Sequence, residues 1–110
     1  MSDVGVAPVV FVVDDESLIL DLVKDALEEA GFEVKSATEF TEAISILDAC
    51  GTELTGLVTD ISLGAKGTGW EVARHARELN PNLAVVYMSG DSAAEWPAQG
   101  VPQSVMVPKP

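Results

Sequence analysis

Val9 to Val13 (VVFVV) is apolar without alternation and almost entirely β-branched, the pattern of a strand covered on both faces. It runs directly into three acids, Asp14, Asp15 and Glu16. A helical period follows, in which Ile19, Leu22, Val23, Ala26, Leu27 and Ala30 make one stripe, and Gly31 is placed to end it. Phe32 to Lys35 alternates, predicting an edge strand with one wet face. A second helix carries Phe40, Ala43, Ile44 and Leu47 on one side and closes at Gly51, and Leu57-Val58-Thr59 predicts a third strand ending at Asp60. A loop containing Gly64, Gly67 and Gly69 leads to a third helix with Val72, Ala73, Ala76 and Leu79 inward, stopped by Pro81. Leu83 to Met88 predicts a fourth strand ending at Ser89-Gly90. Ala93 to Trp96 has room for a helical turn, but Pro97, Gly100 and Pro102 oppose a longer helix. Ser104 to Val107 predicts the fifth strand, followed by Pro108-Lys109-Pro110.

Strands and helices alternating at these lengths imply a parallel sheet with helices on both faces and right-handed crossovers. The expectation is one domain over residues 1–110, with a weak fourth helix and no fifth helix after the last strand. Eighteen acidic residues against six basic ones give a net charge of −12. That excludes nucleic acid and anionic membrane surfaces as direct partners, since both need basic patches, and favours cations or basic faces. A lone cysteine, Cys50, cannot form an internal disulfide. The first residues lack a signal-peptide pattern, and no apolar run approaches the roughly 20 residues of a membrane span. A cytoplasmic location is expected.

In open α/β sheets, ligands bind outside the carboxyl ends of the strands. Those ends carry Asp14 and Asp15, Asp60, Ser89 and Lys109. Grouped carboxylates repel unless a cation joins them, and an all-oxygen set suits a hard ion such as Mg²⁺. A carboxylate beside such an ion can attack phosphorus, giving an aspartyl phosphate, while a lysine and a hydroxyl neutralise the equatorial oxygens. Simpler readings exist for each residue alone. Asp14, Asp15 and Glu16 could cap the first helix, Ser89-Gly90 could be a plain turn, and Lys109 an ordinary surface lysine. Their register on four strand ends argues for the joint reading. His75 is expected to be a solvent-facing helix residue, Trp70 and Trp96 to serve packing or an interface, and Cys50 to be inert.

The strand ending in Asp14-Asp15-Glu16, the Val58-Thr59-Asp60 end, Met88-Ser89-Gly90 and Pro108-Lys109-Pro110 together resemble the receiver domain of two-component response regulators, over the whole chain and in order. The resemblance implies a doubly wound, flavodoxin-like sheet of order 2-1-3-4-5. It implies a phosphoacceptor signalling domain, not an enzyme acting on an outside substrate. The phosphoryl group would pass from a phosphohistidine on a sensor histidine kinase or histidine phosphotransfer protein to Asp60. Mg²⁺ would be held by Asp15, Asp60 and the Ser62 backbone carbonyl, with Asp14 acting through water. Ser89 would be the switch hydroxyl and Lys109 the lysine that pairs with phosphate. Ser62 and Asp91 stand where the family tunes the lifetime of its phosphate. Met106 occupies a switch position often held by an aromatic, and Gly64 and Gly69 stand where the family's loop usually has Pro and, one residue earlier, Gly. A missing fifth helix would leave Val85 or Val86 and Val105 or Val107 facing water, predicting self-association through strands four and five or a chain cut from a longer one. Two alternatives are a degenerate receiver that binds partners without phosphorylation and a Mg²⁺-dependent phosphohydrolase working through an aspartyl phosphate. The second is disfavoured because Glu16 stands where its usual second aspartate would be. A flavin site of the same fold would not meet its cofactor phosphate with acids.

Overall fold

All five strands of the sheet lie parallel. A computed structural model describes residues 7–90 and 95–109. The strands are β1 (Val9–Val13), β2 (Glu33–Ala37), β3 (Gly56–Asp60), β4 (Ala84–Ser89) and β5 (Ser104–Pro108). The helices are α1 (Ser17–Glu29), α2 (Phe40–Cys50), α3 (Gly69–Leu79) and the one-turn α4 (Trp96–Gln99), with a 3₁₀ turn at Gly51–Glu53. The sheet order is β2-β1-β3-β4-β5, as the doubly wound reading requires. The registers Val13↔Thr59, Asp60↔Met88 and Ser89↔Pro108 bring the ends of β1, β3, β4 and β5 to one rim.

Period-two alternation divides the apolar residues between two faces. Phe11, Val13, Leu57, Val85 and Tyr87 pack with α2 and α3 in the larger core, joined by Leu47, Trp70, Val72 and Ala76. Val10 and Val12 meet Leu20, Val23 and Leu27 of α1 on the other face. Here the expected α1 stripe needs correcting. Leu20 is its buried residue, whereas Leu22 is 56% exposed and Ala26 and Ala30 also face solvent. The whole helix is apolar-rich, so a continuous stripe could be drawn on more than one side; contact with Val10 and Val12 selects the Leu20–Val23–Leu27 side.

Gly31 ends α1 as expected. Its φ is +101°, and the Phe32 N–H donates to the Leu27 carbonyl at 3.0 Å while the Gly31 N–H donates to that of Glu28, a Schellman closure. Gly51 acts differently, with a right-handed φ of −57°. A Cβ there would lie 3.2 Å from Leu79 Cδ1, so its place is set by close approach to α3. The α4–β5 segment is tied down by arginines from α3. Arg77 donates to the carbonyls of Leu83, Pro102 and Gln103, and Arg74 to that of Gln99. Of the valines expected to face water, Val85 is buried, Val86 half-buried, and Val105 and Val107 are 52% and 37% exposed.

Candidate functional site

Backbone geometry alone delivers the acids to the rim. Asp14 follows β1, and its N–H donates to the Ala37 carbonyl at the end of β2, so the chain is still held by the sheet when it turns inward. The Asp14 side chain is fully buried, and its Oδ1 accepts the Glu16 N–H at 2.8 Å. The simpler alternative, in which these acids cap α1, finds no side-chain bond at the cap position, which Glu16 occupies. Asp60 ends β3 and is 4% exposed, its Oδ1 accepting the Ser62 N–H at 3.4 Å. The Asp60 carbonyl accepts the Thr59 hydroxyl at 2.9 Å.

Lys109 comes from the far edge of the sheet. Its N–H donates to the Ser89 carbonyl at 3.0 Å, continuing the β4–β5 ladder by one step and fixing where the side chain starts. The ammonium then lies 3.0 Å from Asp60 Oδ2, 2.6 Å from Glu16 Oε1 and 3.4 Å from Asp14 Oδ2. Ser89 itself is buried at the end of β4. Carboxylate oxygens of Asp14, Asp15, Glu16 and Asp60 all lie within 4.8 Å of one another. An open cavity of about 410 Å³ sits over them, lined by Asp15, Glu16, Asp60, Ser62, Gly90 and Lys109.

The electrostatics follow from burial. Desolvation pushes the Asp60 carboxyl above its ordinary value, with the Asp14 charge adding to the rise and the Lys109 hydrogen bond opposing it. Asp14 is raised for the same first reason, against the Glu16 N–H and Lys109. Burial works against the charge on Lys109, yet the hydrogen bonds to Glu16 and Asp60 and the fields of Asp60 and Asp14 carry its pKa upward. The site is thus two buried anions around one cation, with two further carboxylates at the mouth.

The loop after Asp60 doubles back through an isolated bridge between Ser62 and Thr68, and the Gly69 N–H donates to the Ile61 carbonyl at 2.8 Å. A Cβ on Gly69 would fall 2.0 Å from the Asp60 carbonyl oxygen, so glycine at this place is sterically required. Gly64 takes a φ of +91° at the loop's outer bend. Thr68 and Glu71 then close a capping box that starts α3.

Asp14, Asp15, Asp60, Ser62, Ser89 and Lys109 converge as expected, whereas Asp91 lies outside the described residues. Met106 sits away from this cluster, half-buried against the larger core and paired in register with Tyr87. Tyr87 was not singled out by the sequence. It is fully buried, stacks tilted on Trp70 with centroids 4.7 Å apart, and its hydroxyl accepts the Val101 N–H at 3.1 Å. A tyrosine two residues before Ser89 in an aliphatic strand was the available signal. The sequence assigns Glu16 no role at the site, and the structure makes it a partner of Lys109. Trp96 packs on the core and donates to Ser104 Oγ at 2.9 Å. His75 is less solvent-facing than expected, with Nε2 2.6 Å from Asp48 Oδ1 across the α2–α3 seam. Cys50 contacts the Ile46 carbonyl within its own helix. Among the described residues, no helix is long and apolar enough to cross a membrane.

No curated protein matches the chain. Among solved structures, a response regulator receiver protein from Sinorhizobium medicae superposes with a TM-score of 0.89 at 40% identity, covering 94% of this chain and 83% of that one. A receiver domain protein from Clostridium thermocellum follows at 0.79 and 29%, covering 94% and 82%. The response regulator TrrA from Thermotoga maritima, solved in complex with Mg²⁺-BeF, gives 0.72 and 25%, covering 91% and 85%. The family model of the response regulator receiver domain matches residues 10–105, nearly the whole described fold with its acidic rim, and the chain belongs to that family of two-component signalling domains.

Proposed function

We propose that the chain accepts a phosphoryl group on Asp60 from a phosphohistidine of a sensor histidine kinase or histidine phosphotransfer protein, and that the modified domain changes its binding to partners. The observation that carries this reading is the Lys109 ammonium 3.0 Å from Asp60 Oδ2, with Asp14 and Asp15 grouped beside it. An Asp60 carboxylate oxygen attacks phosphorus as the phosphorus–nitrogen bond breaks, and the electron pair leaves with the donor imidazole. Lys109, already held at the acceptor, pairs with a phosphoryl oxygen. Ser89, buried at the neighbouring strand end, supplies the hydroxyl that the new dianion attracts, turning a charge change into a shift of the β4 terminus.

The donor set fits Mg²⁺. Asp14 Oδ2 is buried and, beyond its 3.4 Å ion pair with Lys109, makes no hydrogen bond among the described residues, and the four grouped side chains offer oxygen alone. Asp15, Asp60 and the Ser62 carbonyl would hold the ion, with Asp14 acting through water. Bound there, Mg²⁺ supplies positive charge against the equatorial oxygens of the transferring group. That the related TrrA was solved in complex with Mg²⁺-BeF supports a magnesium ion here. The cytoplasm, where such donors act, is the compartment this reading requires.

Intact mass after incubation with Mg²⁺ and acetyl phosphate tests the proposal. One phosphate is expected on wild type, none on Asp60→Asn and none with chelator. Unlabelled wild type in saturating Mg²⁺ would refute it.

A further inference from the structure

Lys109 is shared among three carboxylates, and the nearest is neither expected acceptor nor expected metal ligand: Glu16 Oε1 stands at 2.6 Å, Asp60 Oδ2 at 3.0 Å and Asp14 at 3.4 Å. We infer that Glu16 is a positioning residue that tethers Lys109 while Asp60 is free and must release it before phosphate can bind, so that the tether slows phosphorylation. This deepens the reading of Asp60 as phosphoacceptor and rests on it.

Both ends of the tether are fixed by backbone. Glu16 opens α1, its N–H bound to Asp14 Oδ1 and its carbonyl accepting the Leu20 N–H at 3.0 Å. Lys109 is held by its N–H on the Ser89 carbonyl. An ammonium has three donors, and here three carboxylates surround it. An incoming phosphoryl oxygen must therefore displace one of them. Asp14 is fully buried, and stripping Lys109 from it would leave an anion that water cannot reach. Asp60 is the attachment point itself. The Glu16 side chain is 60% exposed and rehydrates when released. It also lines the mouth of the cavity through which a donor must reach Asp60. Glu16 is the partner that lets go.

Release happens before or during transfer, and Lys109 then stays on the phosphate. The tether thus opposes phosphorylation but is already broken in the phosphorylated domain, so it has no hold on hydrolysis. A partly exposed ion pair of this kind sets an effect of about two- to fivefold. The geometry also separates reach from charge. Aspartate keeps the charge of Glu16 but is one methylene shorter, about 1.5 Å, and cannot span to Lys109 from a fixed helix start.

The test measures Mg²⁺-dependent phosphorylation by acetyl phosphate and subsequent dephosphorylation for wild type, Glu16→Gln and Glu16→Asp, with pulse acetylation of Lys109 read by peptide mass. Both variants are expected to phosphorylate about two- to fivefold faster, to lose phosphate at the wild-type rate, and to label faster at Lys109. Wild-type behaviour of Glu16→Asp with acceleration in Glu16→Gln would show a general charge effect and overturn the tether. Equal phosphorylation in all three, or unchanged Lys109 labelling, would overturn it while leaving Asp60 as acceptor. Failure of wild type to take phosphate would overturn the acceptor reading and the tether together.

Discussion

Replacing Lys109 by Gln removes the cation that Asp14 and Asp60 share while leaving both carboxylates in place. At an effective dielectric of about 20, a pair at 3.0 Å attracts by roughly 5–6 kcal/mol and one at 3.4 Å by roughly 5 kcal/mol, before desolvation is counted. Without Lys109, two carboxylates whose oxygens lie within 4.8 Å repel by at least about 3 kcal/mol in the same medium. One carboxyl can escape by binding a proton, which limits the loss. The expected destabilisation at pH 7.5 without metal is about 3 kcal/mol, the lower end for a buried charge deprived of its partner. With a urea m-value of about 1.5 kcal/mol/M, the midpoint should fall by about 2 M. Urea unfolding in chelator, followed by the fluorescence of Trp70 and Trp96 at the larger core, reads this directly. Asp60→Asn removes the repulsion along with the attraction, so the double variant should recover part of the loss. A Lys109→Gln midpoint within about 0.3 M of wild type would refute the picture of two buried anions held by one cation.

Gly69→Ala should cost about 3 kcal/mol or more, because its Cβ would meet the Asp60 carbonyl oxygen at 2.0 Å; Gly90→Ala, with nothing within 4 Å, should stay within about 0.5–1 kcal/mol, both read as thermal midpoints. Arg77→Ala should lose about 2–3 kcal/mol and Arg77→Lys most of that, since one ammonium cannot serve the carbonyls of Leu83, Pro102 and Gln103 as the guanidinium does. The pH dependence has a fixed sign. Asp14 and Asp60 have folded pKa values raised above 3.8, so their contribution is full below that value and lost as pH rises through the raised values. Metal-free protein should therefore lose thermal stability from pH 4 towards neutrality, and Asp60→Asn should flatten that fall.

Much of the site was legible because strand ends are legible. VVFVV, GLVTD and SVMVP each announce a buried or edge strand, and a parallel sheet brings their carboxyl ends to one rim whatever the loops do. Side-chain partners inside that rim were not legible. Nothing in the order Asp14-Asp15-Glu16 says that the first is fully buried while the third reaches out to a lysine 93 residues away. The α1 stripe failed for a related reason. Leu18, Ile19, Leu20, Leu22 and Val23 satisfy a helical period on several sides, and only Val10 and Val12 beneath the helix select Leu20. Gly69 was visible as one of three loop glycines, but its need arises from a carbonyl nine residues earlier, which a spacing rule cannot show.

The position of Lys109 ties the site to the least supported part of the sheet. β5 is an edge strand with β4 on one side, and its Val105 and Val107 face solvent, so apolar burial holds it less firmly than the inner strands. What pins its end to the rim is the Lys109 N–H on Ser89 and the ammonium among Asp14, Glu16 and Asp60. A change of charge at Asp60 therefore acts on the strand through its Lys109 anchor. A dianion at Asp60 would tighten that anchor, and loss of the carboxylate charge in Asp60→Asn would loosen it. Amide hydrogen exchange over Ser104–Val107 should accordingly speed up in Asp60→Asn while β1 stays protected. Equal exchange in both proteins would mean that the charge at Asp60 has no part in holding β5.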